Sequence, residues 1–411
     1  MSQRLSTLLA GSAAAAAIGL SILAPAATAQ PADTAPERAE SADAPLVIGH
    51  RGAAGTAPEN TVAAFKHGRA SGADFFEIDV QLSADGVPFL FHDDTPARTT
   101  NVEDVFPDRA ADPITSFTWA ELQQLDAGSY FGGKFAGEGI PHLDDAARVA
   151  TPETGVYIEI KSPRNSPGIE AQVADRLAND PAWSSLLEAD KIQVIGFDEG
   201  SNRTFAQLAP EVPLQQLSST VPGPATIESW ATFVDSVGTN YRTLTEQNVA
   251  DVKDAGLVMG VYTVNSPEAV DTVIGLGVEA VTGDFPIQTM RHVAGLKPFP
   301  AARGLEIVDS VNNPAGDDVQ PESGEHVVLR NTTGHTVDAS GLLLRDAANN
   351  ILRVGGGYLL APGAELRVYT GPGTNSAEAY YNGGTASVLN NTGDSVALWS
   401  ANGQLLDVFA N

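Results

Sequence analysis

The stretch Phe75-Phe76-Glu77-Ile78-Asp79-Val80 predicts a strand in which two carboxylates interrupt an apolar run. Successive strand residues point to opposite faces, so Glu77 and Asp79 share one face. Asp85-Gly86 then predicts a hairpin turn, and the chain returns through Phe91 into His92. With the turn centred near Asp85, His92 pairs roughly opposite Ile78. One strand pair can therefore present two carboxylates and an imidazole together.

Other apolar strands end in the same way. Leu46-Val47-Ile48 leads into His50-Arg51-Gly52, and Val156-Tyr157-Ile158 continues into Glu159-Ile160-Lys161. In a parallel barrel the carboxyl ends of the strands gather at one mouth, where the chemistry of such folds takes place. We therefore expect these polar side chains to meet.

Strand-like and helix-like segments alternate from residue 45 to about 295, which predicts a TIM-type (β/α)8 barrel. A doubly wound open sheet is the alternative. The eight strand candidates are Leu46–Gly49, Phe75–Val80, Val156–Ile160, Lys191–Phe197, Pro213–Leu217, Phe233–Gly238, Leu257–Val264 and Glu279–Thr282. A helix is expected over Thr61–Ser71, with Asn60 as its N-cap and Gly72 closing it. Residues 94–146, rich in Pro and Gly, predict an inserted cap over the mouth.

The pattern of predicted secondary structure changes after a linker at residues 296–303. From 304 to 411, short strand candidates alternate with turns such as Pro362-Gly363 and Asn402-Gly403. This spacing predicts an all-β, immunoglobulin-like sandwich.

The N-terminus predicts a signal peptide over residues 1–29. Arg4 precedes an Ala-rich apolar stretch, and Ala27-Thr28-Ala29 gives a small-x-small cleavage signal. A retained membrane anchor is the alternative, because the apolar stretch is nearly long enough to span a bilayer. Residues 30–44 predict a flexible linker. We expect a secreted protein with no stable membrane insertion after cleavage.

The charge balance is acidic. The 411 residues hold 23 Lys+Arg against 51 Asp+Glu, a formal net charge of −28. This excess argues against nucleic acid as a partner. It does not exclude an anionic small molecule, because screening confines charge effects to about 10 Å and a few local cations suffice. The chain has no cysteine, which rules out disulfides and thiolate metal sites.

Three carboxylates at the presumed mouth, Glu77, Asp79 and Glu159, would repel one another unless a cation lay among them. Hard oxygen ligands suit one divalent ion, with Ca²⁺ favoured over Mg²⁺. The alternative is a merely solvated strand face.

His50 and His92 each follow an apolar strand at the same mouth. An imidazole titrates near neutrality, so one can act as general base and the other as general acid. Arg51 and Lys161 are the local cations that a phosphate would require. A structural salt bridge is the alternative for Arg51.

Together these residues carry a resemblance that extends from residue 45 to about 292. The chain resembles the glycerophosphodiester phosphodiesterase family through motifs that agree in order and spacing: His50-Arg51-Gly52, Ala57-Pro58-Glu59-Asn60-Thr61, Gly72-Ala73-Asp74, Glu77-Ile78-Asp79-Val80, Asp85-Gly86, His92-Asp93, Arg98-Thr99-Thr100-Asn101, Leu125-Asp126-Ala127-Gly128, Ile140-Pro141-His142-Leu143, Glu159-Ile160-Lys161, Val261-Tyr262-Thr263-Val264-Asn265 and Thr282-Gly283-Asp284-Phe285-Pro286.

The resemblance implies a metal-dependent hydrolysis of glycerophosphodiesters to an alcohol and glycerol 3-phosphate. It implies Glu77, Asp79 and Glu159 as metal ligands, and His50 and His92 as the acid/base pair. Arg51 and Lys161 would contact the phosphate. Glu59 matches an acid near the site whose role stays open, with helix capping or support of the residues around the substrate preferred. Three departures from the family pattern are Pro96-Ala97 before Arg98, Gly283 before Asp284, and Tyr262 where a Trp is common. Tyr262 would still stack on the glycerol backbone.

The C-terminal part resembles the lamin-tail domain. The resemblance lies in Ile307-Val308-Asp309, Asn313-Pro314-Ala315-Gly316, Glu325 to Asn331, Asp338-Ala339-Ser340-Gly341, Leu359 to Gly363 and Asn390 to Asp394, with Leu342 where a Trp is usual. It implies a sandwich rather than a reaction, and a module that is a candidate for binding a surface or a protein partner. Its acids Asp309, Asp317 and Asp318 are either calcium ligands or ordinary surface acids.

Two alternative functions remain from the sequence. One is a phospholipase D-like activity on lysolipids or sphingomyelin, which would need a wider apolar mouth. The other is a non-catalytic phosphodiester-binding protein, which the loss of a catalytic imidazole would favour.

Overall fold

A computed structural model describes residues 44–411. The expected signal peptide, and all of the expected linker except Ala44, lie outside the described residues. Between Ala44 and Asn411, no helix combines the length and the apolar character needed to cross a bilayer.

The N-terminal domain is a closed barrel of eight parallel strands. Closure is explicit because β1 pairs in parallel with both its neighbours, as Ile48 faces Phe75 on one side and Thr282 on the other. The TIM-type fold is thus confirmed, and the doubly wound alternative is wrong. The parallel strands are β1 (Leu46–Gly49), β2 (Phe75–Leu82), β4 (Gly155–Ile160), β5 (Ile192–Gly196), β6 (Leu214–Ser218), β7 (Ser236–Asn240), β8 (Val258–Tyr262) and β9 (Ala280–Gly283); the antiparallel strand β3 (Pro88–Leu90) adds to β2.

The helices form an outer layer and part of the cap. They are α1 (Val62–Ala70), α2 (Val102–Val105), α3 (Trp119–Leu122), α4 (Leu143–Val149), α5 (Ile169–Asn179), α6 (Pro181–Glu188), α7 (Glu199–Leu208), α8 (Pro224–Trp230), α9 (Glu246–Asp254), α10 (Pro267–Gly275) and α11 (Pro286–Val293).

The expected N-cap of α1 is wrong. Thr61 caps this helix by accepting a hydrogen bond from the Ala64 amide, whereas Asn60 turns toward the barrel. Gly72 does close the helix, since it follows the C-cap Ser71 with a φ of 76°.

The expected start of β7 also differs. The backbone amides of Phe233 and Val234 bond to the carbonyl of Trp230 and close α8, so the strand begins only at Ser236. Phe233 and Val234 therefore belong to the segment that closes α8 rather than to β7.

The hairpin expected beyond Asp79 is present. Val80 pairs with Leu90, and the Phe91 amide donates to the Asp79 carbonyl at 2.9 Å. The predicted register is thus confirmed as far as Phe91, whereas the pairing of His92 opposite Ile78 lies beyond the end of β3 and stays a prediction.

The inserted segment after Asp93 has an apolar core of its own. Phe89 and Phe91 pack there with Ile114, Phe117 and Leu122. At the expected end of the insertion, Ala146 lies instead in α4 and packs in the main barrel core.

The C-terminal domain consists of two four-stranded sheets and a short two-stranded one. One sheet contains β10 (Leu305–Val311), β11 (His326–Asn331), β16 (Glu365–Tyr369) and β17 (Ala379–Tyr381); the other contains β13 (Leu343–Asp346), β14 (Ile351–Arg353), β18 (Ser395–Trp399) and β19 (Leu405–Ala410); β12 (Val337–Asp338) pairs with β15 (Leu359–Leu360). Both larger sheets contribute to one apolar core, for example Leu329 from β11 and Leu398 from β18. The all-β sandwich is confirmed.

Leu342 lies buried in this core at the position where the lamin-tail pattern has a Trp. Asp309 and Asp317 are exposed, and the groups of three or more potential metal ligands found in residues 44–411 do not include them or Asp318. Their positions fit ordinary surface acids better than calcium ligands.

Candidate active site

Three carboxylates from two adjacent strands meet at the carboxyl end of the barrel. Glu77 and Asp79 come from β2 and Glu159 from β4, where Asp79 pairs with Glu159 in register. Each offers an oxygen within 4.8 Å of the others, and all three residues are buried. Phe75 and Tyr157, two residues earlier on the same strand faces, fill the barrel beneath them.

The electrostatics of this trio fit a bound cation. Burial, reinforced by Asp79 and Glu159, raises the pKa of Glu77 well above its usual value. Burial and Asp79 likewise raise the pKa of Glu159 to about 6, against the opposing effect of Lys161. Glu77 Oε1 is buried without a hydrogen-bond partner, and Asp79 Oδ1 accepts no hydrogen bond but lies 3.4 Å from Lys161 Nζ. A buried carboxylate oxygen without a partner is costly, and a divalent ion among the three carboxylates would satisfy it.

Asn60 orients Asp79 within this trio. Its Nδ2 donates to Asp79 Oδ2 at 2.7 Å, and its Oδ1 accepts from the Asp79 amide at 3.1 Å. Burial opposes ionisation of Asp79, but Lys161, His92 and Arg51 outweigh it and lower the pKa of that carboxyl. One member of the trio is thus held ionised.

The His50-Arg51-Gly52 turn brings a cation to the trio. The Arg51 amide donates to Glu77 Oε2 at 2.6 Å, and its Nε lies 3.8 Å from Asp79 Oδ2. The turn requires glycine, because Gly52 has a φ of 92° and a Cβ there would lie 2.5 Å from the Ala64 backbone. The second cation is Lys161, whose Nζ lies 2.9 Å from Glu159 Oε1.

Each of the two histidines is oriented by an aspartate. His50 Nδ1 lies 2.7 Å from Asp284 Oδ1, and His92 Nδ1 lies 2.7 Å from Asp93 Oδ1. Burial opposes ionisation of both aspartates, but the histidines and neighbouring donors outweigh it and lower the pKa of each. An ionised aspartate only accepts, so Nδ1 carries the proton and Nε2 remains for chemistry.

A chain of ion pairs links the second histidine to Arg51. Arg98 donates to both oxygens of Asp93 and to both oxygens of Glu59, at 2.6 to 2.9 Å. Glu59 in turn accepts from Arg51 at 2.8 Å. Burial opposes ionisation of Glu59, but Arg51 and Arg98 lower its pKa to about 2. The predicted supporting role of Glu59 thus has a structural counterpart.

These side chains surround one cavity of about 260 Å³. Its far wall carries Tyr262, whose hydroxyl donates to the Ser218 carbonyl at 2.9 Å. Phe197 stands edge-on to Tyr262 at 5.9 Å and is 45% exposed. Seven of the eight predicted site residues line this cavity: His50, Arg51, Glu77, His92, Glu159, Lys161 and Tyr262; Asp79 lies behind them.

Sequence reasoning left out several residues that complete the site: Asn60, Arg98, Phe197, Asn265 and Asp284. All except Phe197 lie in the sequence motifs quoted above, and this membership could have identified them as site residues. The Gly283 departure has a local cause, because a Cβ there would lie 2.2 Å from the Val264 carbonyl oxygen.

Comparison with known proteins agrees with this geometry. Residues 50–288 match the model of the glycerophosphoryl diester phosphodiesterase family. The chain belongs to this family. Residues 298–411 match the Lamin Tail Domain. Both resemblances drawn from the sequence are confirmed, and so is the enzyme class.

Curated relatives and solved structures of the family match about 60% of the chain, which corresponds to the barrel. A putative glycerophosphodiester phosphodiesterase of Bacillus subtilis, YhdW, is 32% identical over 243 residues, which span 58% of this chain and 94% of the relative. A glycerophosphodiester phosphodiesterase of Caldanaerobacter subterraneus is 33% identical over 247 residues, 59% of this chain and 94% of the relative.

Among solved structures, a phosphodiesterase of Oleispira antarctica in complex with the product sn-glycerol-3-phosphate superposes with a TM-score of 0.52 and 29% identity. It covers 61% of this chain and 97% of its own. A glycerophosphodiester phosphodiesterase of Agrobacterium tumefaciens gives a TM-score of 0.50 and 26% identity, covering 60% of this chain and 99% of its own.

Proposed function

We propose that the protein hydrolyses glycerophosphodiesters to an alcohol and glycerol 3-phosphate. The observation that carries this proposal is the cavity, which two of the three clustered buried carboxylates line together with two cations and two aspartate-held histidines. This donor set suits a phosphodiester, whose negative charge needs cations and whose P–O exchange needs proton transfer at both oxygens.

Glu77, Asp79 and Glu159 would hold one divalent ion. Ca²⁺ is proposed ahead of Mg²⁺, because Mg²⁺ is usually bound through only one or two protein carboxylates. When bound, the ion would act as a Lewis acid toward the phosphoryl oxygens. Arg51 and Lys161, which both line the cavity, would bind the remaining phosphate charge.

The histidines would move the protons. One neutral imidazole accepts at Nε2 the proton of the attacking hydroxyl as the new P–O bond forms. The other imidazole, protonated at both nitrogens, donates its Nε2 proton to the departing alcohol oxygen as the old P–O bond breaks. Attack by water gives glycerol 3-phosphate directly, whereas attack by the neighbouring glycerol hydroxyl gives a cyclic phosphate that water then opens, with the two proton roles exchanged. Asp284 and Asp93 keep His50 and His92 in the required tautomer.

The shape of the mouth favours a small polar substrate over a lysolipid. The main cavity is near the lower end of the range for ligand pockets, about 300–1,000 Å³. The adjoining groove, which shares Lys161 and Phe197 with it, continues past Ser162, Arg164 and Asp198. The polar and charged side chains of this groove suit a hydrophilic alcohol rather than an acyl chain.

The experiment is a product assay on the purified full chain with Ca²⁺. We expect glycerol 3-phosphate and choline from glycerophosphocholine, with little turnover of lysophosphatidylcholine or sphingomyelin. Preference for either lipid would support the phospholipase D-like alternative instead. Tight binding of glycerophosphocholine without product would support the non-catalytic alternative.

We also propose that the protein is secreted, from the signal-peptide pattern over residues 1–29. In an expressing culture, the mature protein should be found in the medium and should begin near Gln30. Full-length protein retained in the membrane fraction would contradict the proposal.

A further inference from the structure

The sandwich reaches the hydrogen-bond network of His50. Behind His50, Asp284 is held by Asn265, whose Nδ2 donates to Asp284 Oδ2 at 2.6 Å and whose Oδ1 accepts from the Asp284 amide at 2.8 Å. The same Nδ2 donates to Ser395 Oγ at 2.8 Å. Ser395 is the first residue of β18, so the last residue in this series of hydrogen bonds belongs to the C-terminal domain.

The arrangement assigns both amide protons of Asn265. One goes to Asp284 and the other to Ser395, and all three residues are buried. Without the serine hydroxyl, a buried N–H would lose its partner, and only the two bonds to Asp284 would hold the Asn265 amide. The rotation of Asp284, and through it the orientation of the His50 ring, would be less firmly fixed.

A second route connects the sandwich to the other half of the site. Asn349 Nδ2 donates to the Tyr130 carbonyl at 3.0 Å, and Arg345 donates to the Phe131 carbonyl at 3.3 Å. The Tyr130 hydroxyl accepts from the Glu59 amide at 3.1 Å. The sandwich thus holds the cap segment that holds Glu59.

The contact between barrel and sandwich is closely packed. Phe285 and Phe299 pack against Ala397 and Val408 of the two adjacent strands β18 and β19. The space left between Glu59, Asp284 and Ser395 is about 20 Å³, roughly enough for one water molecule. Because such close packing resists compression, the position of the sandwich can constrain the barrel residues that it contacts.

We propose that the lamin-tail sandwich is a structural part of the active site, and that Ser395 is a positioning residue acting on His50 through Asn265 and Asp284. The inference rests on the proposed function, since it assigns His50 a part in catalysis. It gives the appended domain an intramolecular role.

The test compares Ser395→Ala with Ser395→Thr in the full chain, using glycerophosphocholine and Ca²⁺. Ser395→Ala should lower kcat about tenfold, the lower end of what outer partners of a site contribute, with KM nearly unchanged. Ser395→Thr keeps a hydroxyl and should restore most of kcat. The matched control is Ser400→Ala, because Ser400 is equally buried, at 7% exposure against 8%, but bonds only within the sandwich.

A double-mutant cycle with Asp284→Asn separates positioning from general weakening. If Ser395 acts through Asp284, adding Ser395→Ala to Asp284→Asn should cause little further loss. Losses that multiply, a kcat for Ser395→Ala equal to wild type, or an equal loss in Ser400→Ala would each overturn the proposal.

A spectroscopic measurement keeps the inference independent of turnover. The hydrogen-bonded Nδ1–H of His50 should give a downfield proton signal that exchanges faster with water in Ser395→Ala but not in Ser400→Ala. Unchanged exchange would overturn the positioning role even in an active enzyme. An inactive wild type with the expected change in exchange would instead reject the proposed function and retain the structural coupling.

Discussion

The Asn60 side-chain amide makes two hydrogen bonds to Asp79: it donates to the carboxylate at 2.7 Å and accepts from the backbone N–H at 3.1 Å. Asn60 adopts a φ of 53°, so its backbone is already in the left-handed region. This pair fixes the orientation of the carboxylate that is held ionised between Lys161 and Arg51.

Asn60→Gly should therefore lower the affinity for Ca²⁺ by about 10–100-fold, the usual effect of removing a partner of a metal ligand. Titration calorimetry on the chelator-treated protein measures it. Asp190→Gly is the control, since it also places a glycine at a left-handed position, with a φ of 56°, after α6. Unchanged affinity in Asn60→Gly would show that the pair does not orient a ligand.

Glu77→Gln should abolish both turnover and the stabilisation by Ca²⁺. In the wild type, an ion at 100 times its Kd adds about 2.7 kcal/mol to the free energy of unfolding, which raises Tm. Differential scanning fluorimetry with and without Ca²⁺ reads this directly. Glu121→Gln in the cap should keep the Ca²⁺-dependent rise in Tm, and full turnover by chelator-treated Glu77→Gln protein would reject the metal assignment.

Arg98→Lys should lower kcat/KM about 10–100-fold, because a lysine cannot make paired bonds to Glu59 and Asp93 at once. Steady-state kinetics measure the loss. Arg109→Lys offers a matched comparison, since Arg109 also bridges two acids of the cap, Asp112 and Glu121. Equal losses in the two variants would mean that Arg98 serves only to stabilise the cap.

Phe197→Ala should raise KM for glycerophosphocholine about 2–10-fold and change kcat little. The aromatic ring would contact the substrate equally in the ground state and in the transition state, so its loss weakens binding without slowing the chemical step. The reason is the exposed position of the ring at the mouth, with Lys161 Nζ 6.0 Å from its centroid. Leu208→Ala removes a side chain of similar exposure from the end of α7. A Phe197→Ala enzyme with wild-type KM would remove this residue from the substrate site.

Asp346 gives a pH dependence to the stability. Burial, with Asp394 nearby, raises its pKa from 3.8 to about 6. Between these pH values the folded protein binds more protons than the unfolded chain, so the free energy of unfolding should rise as pH falls from about 7 toward 4. The upper bound is about 3 kcal/mol at 1.36 kcal/mol per pKa unit. Urea denaturation at several pH values should show this slope, and Asp346→Asn should make it less steep, since Glu159 and Asp407 also have a pKa raised to about 6. An unchanged slope in Asp346→Asn would contradict the assignment.

The sequence predicted most of the strand framework because two local rules decide it. Alternation placed Glu77 and Asp79 on one face, and the Asp85-Gly86 turn set the pairing of Val80 with Leu90. Closure of the barrel followed from the number of alternating units. The roles of the predicted site residues remain predictions until the variants above are measured.

The parts that were not predicted depend on contacts far apart in the chain. Asn265 and Ser395 are 130 positions apart and belong to different domains, so no periodicity connects them. Arg98 meets Glu59 only once the cap has folded, at a separation of 39 positions. Within the sandwich, β12 and β15 have two residues each, too few to produce an alternation.

Strand β18 serves two purposes at once. Its Val396 and Leu398 belong to the core of the sandwich, while Ser395 at its start bonds to the barrel. If the sandwich melts before the barrel, heating would remove the Ser395 contact from Asn265 while the barrel was still intact. The enzyme would then lose part of its turnover at the melting temperature of the domain that carries none of the reacting groups.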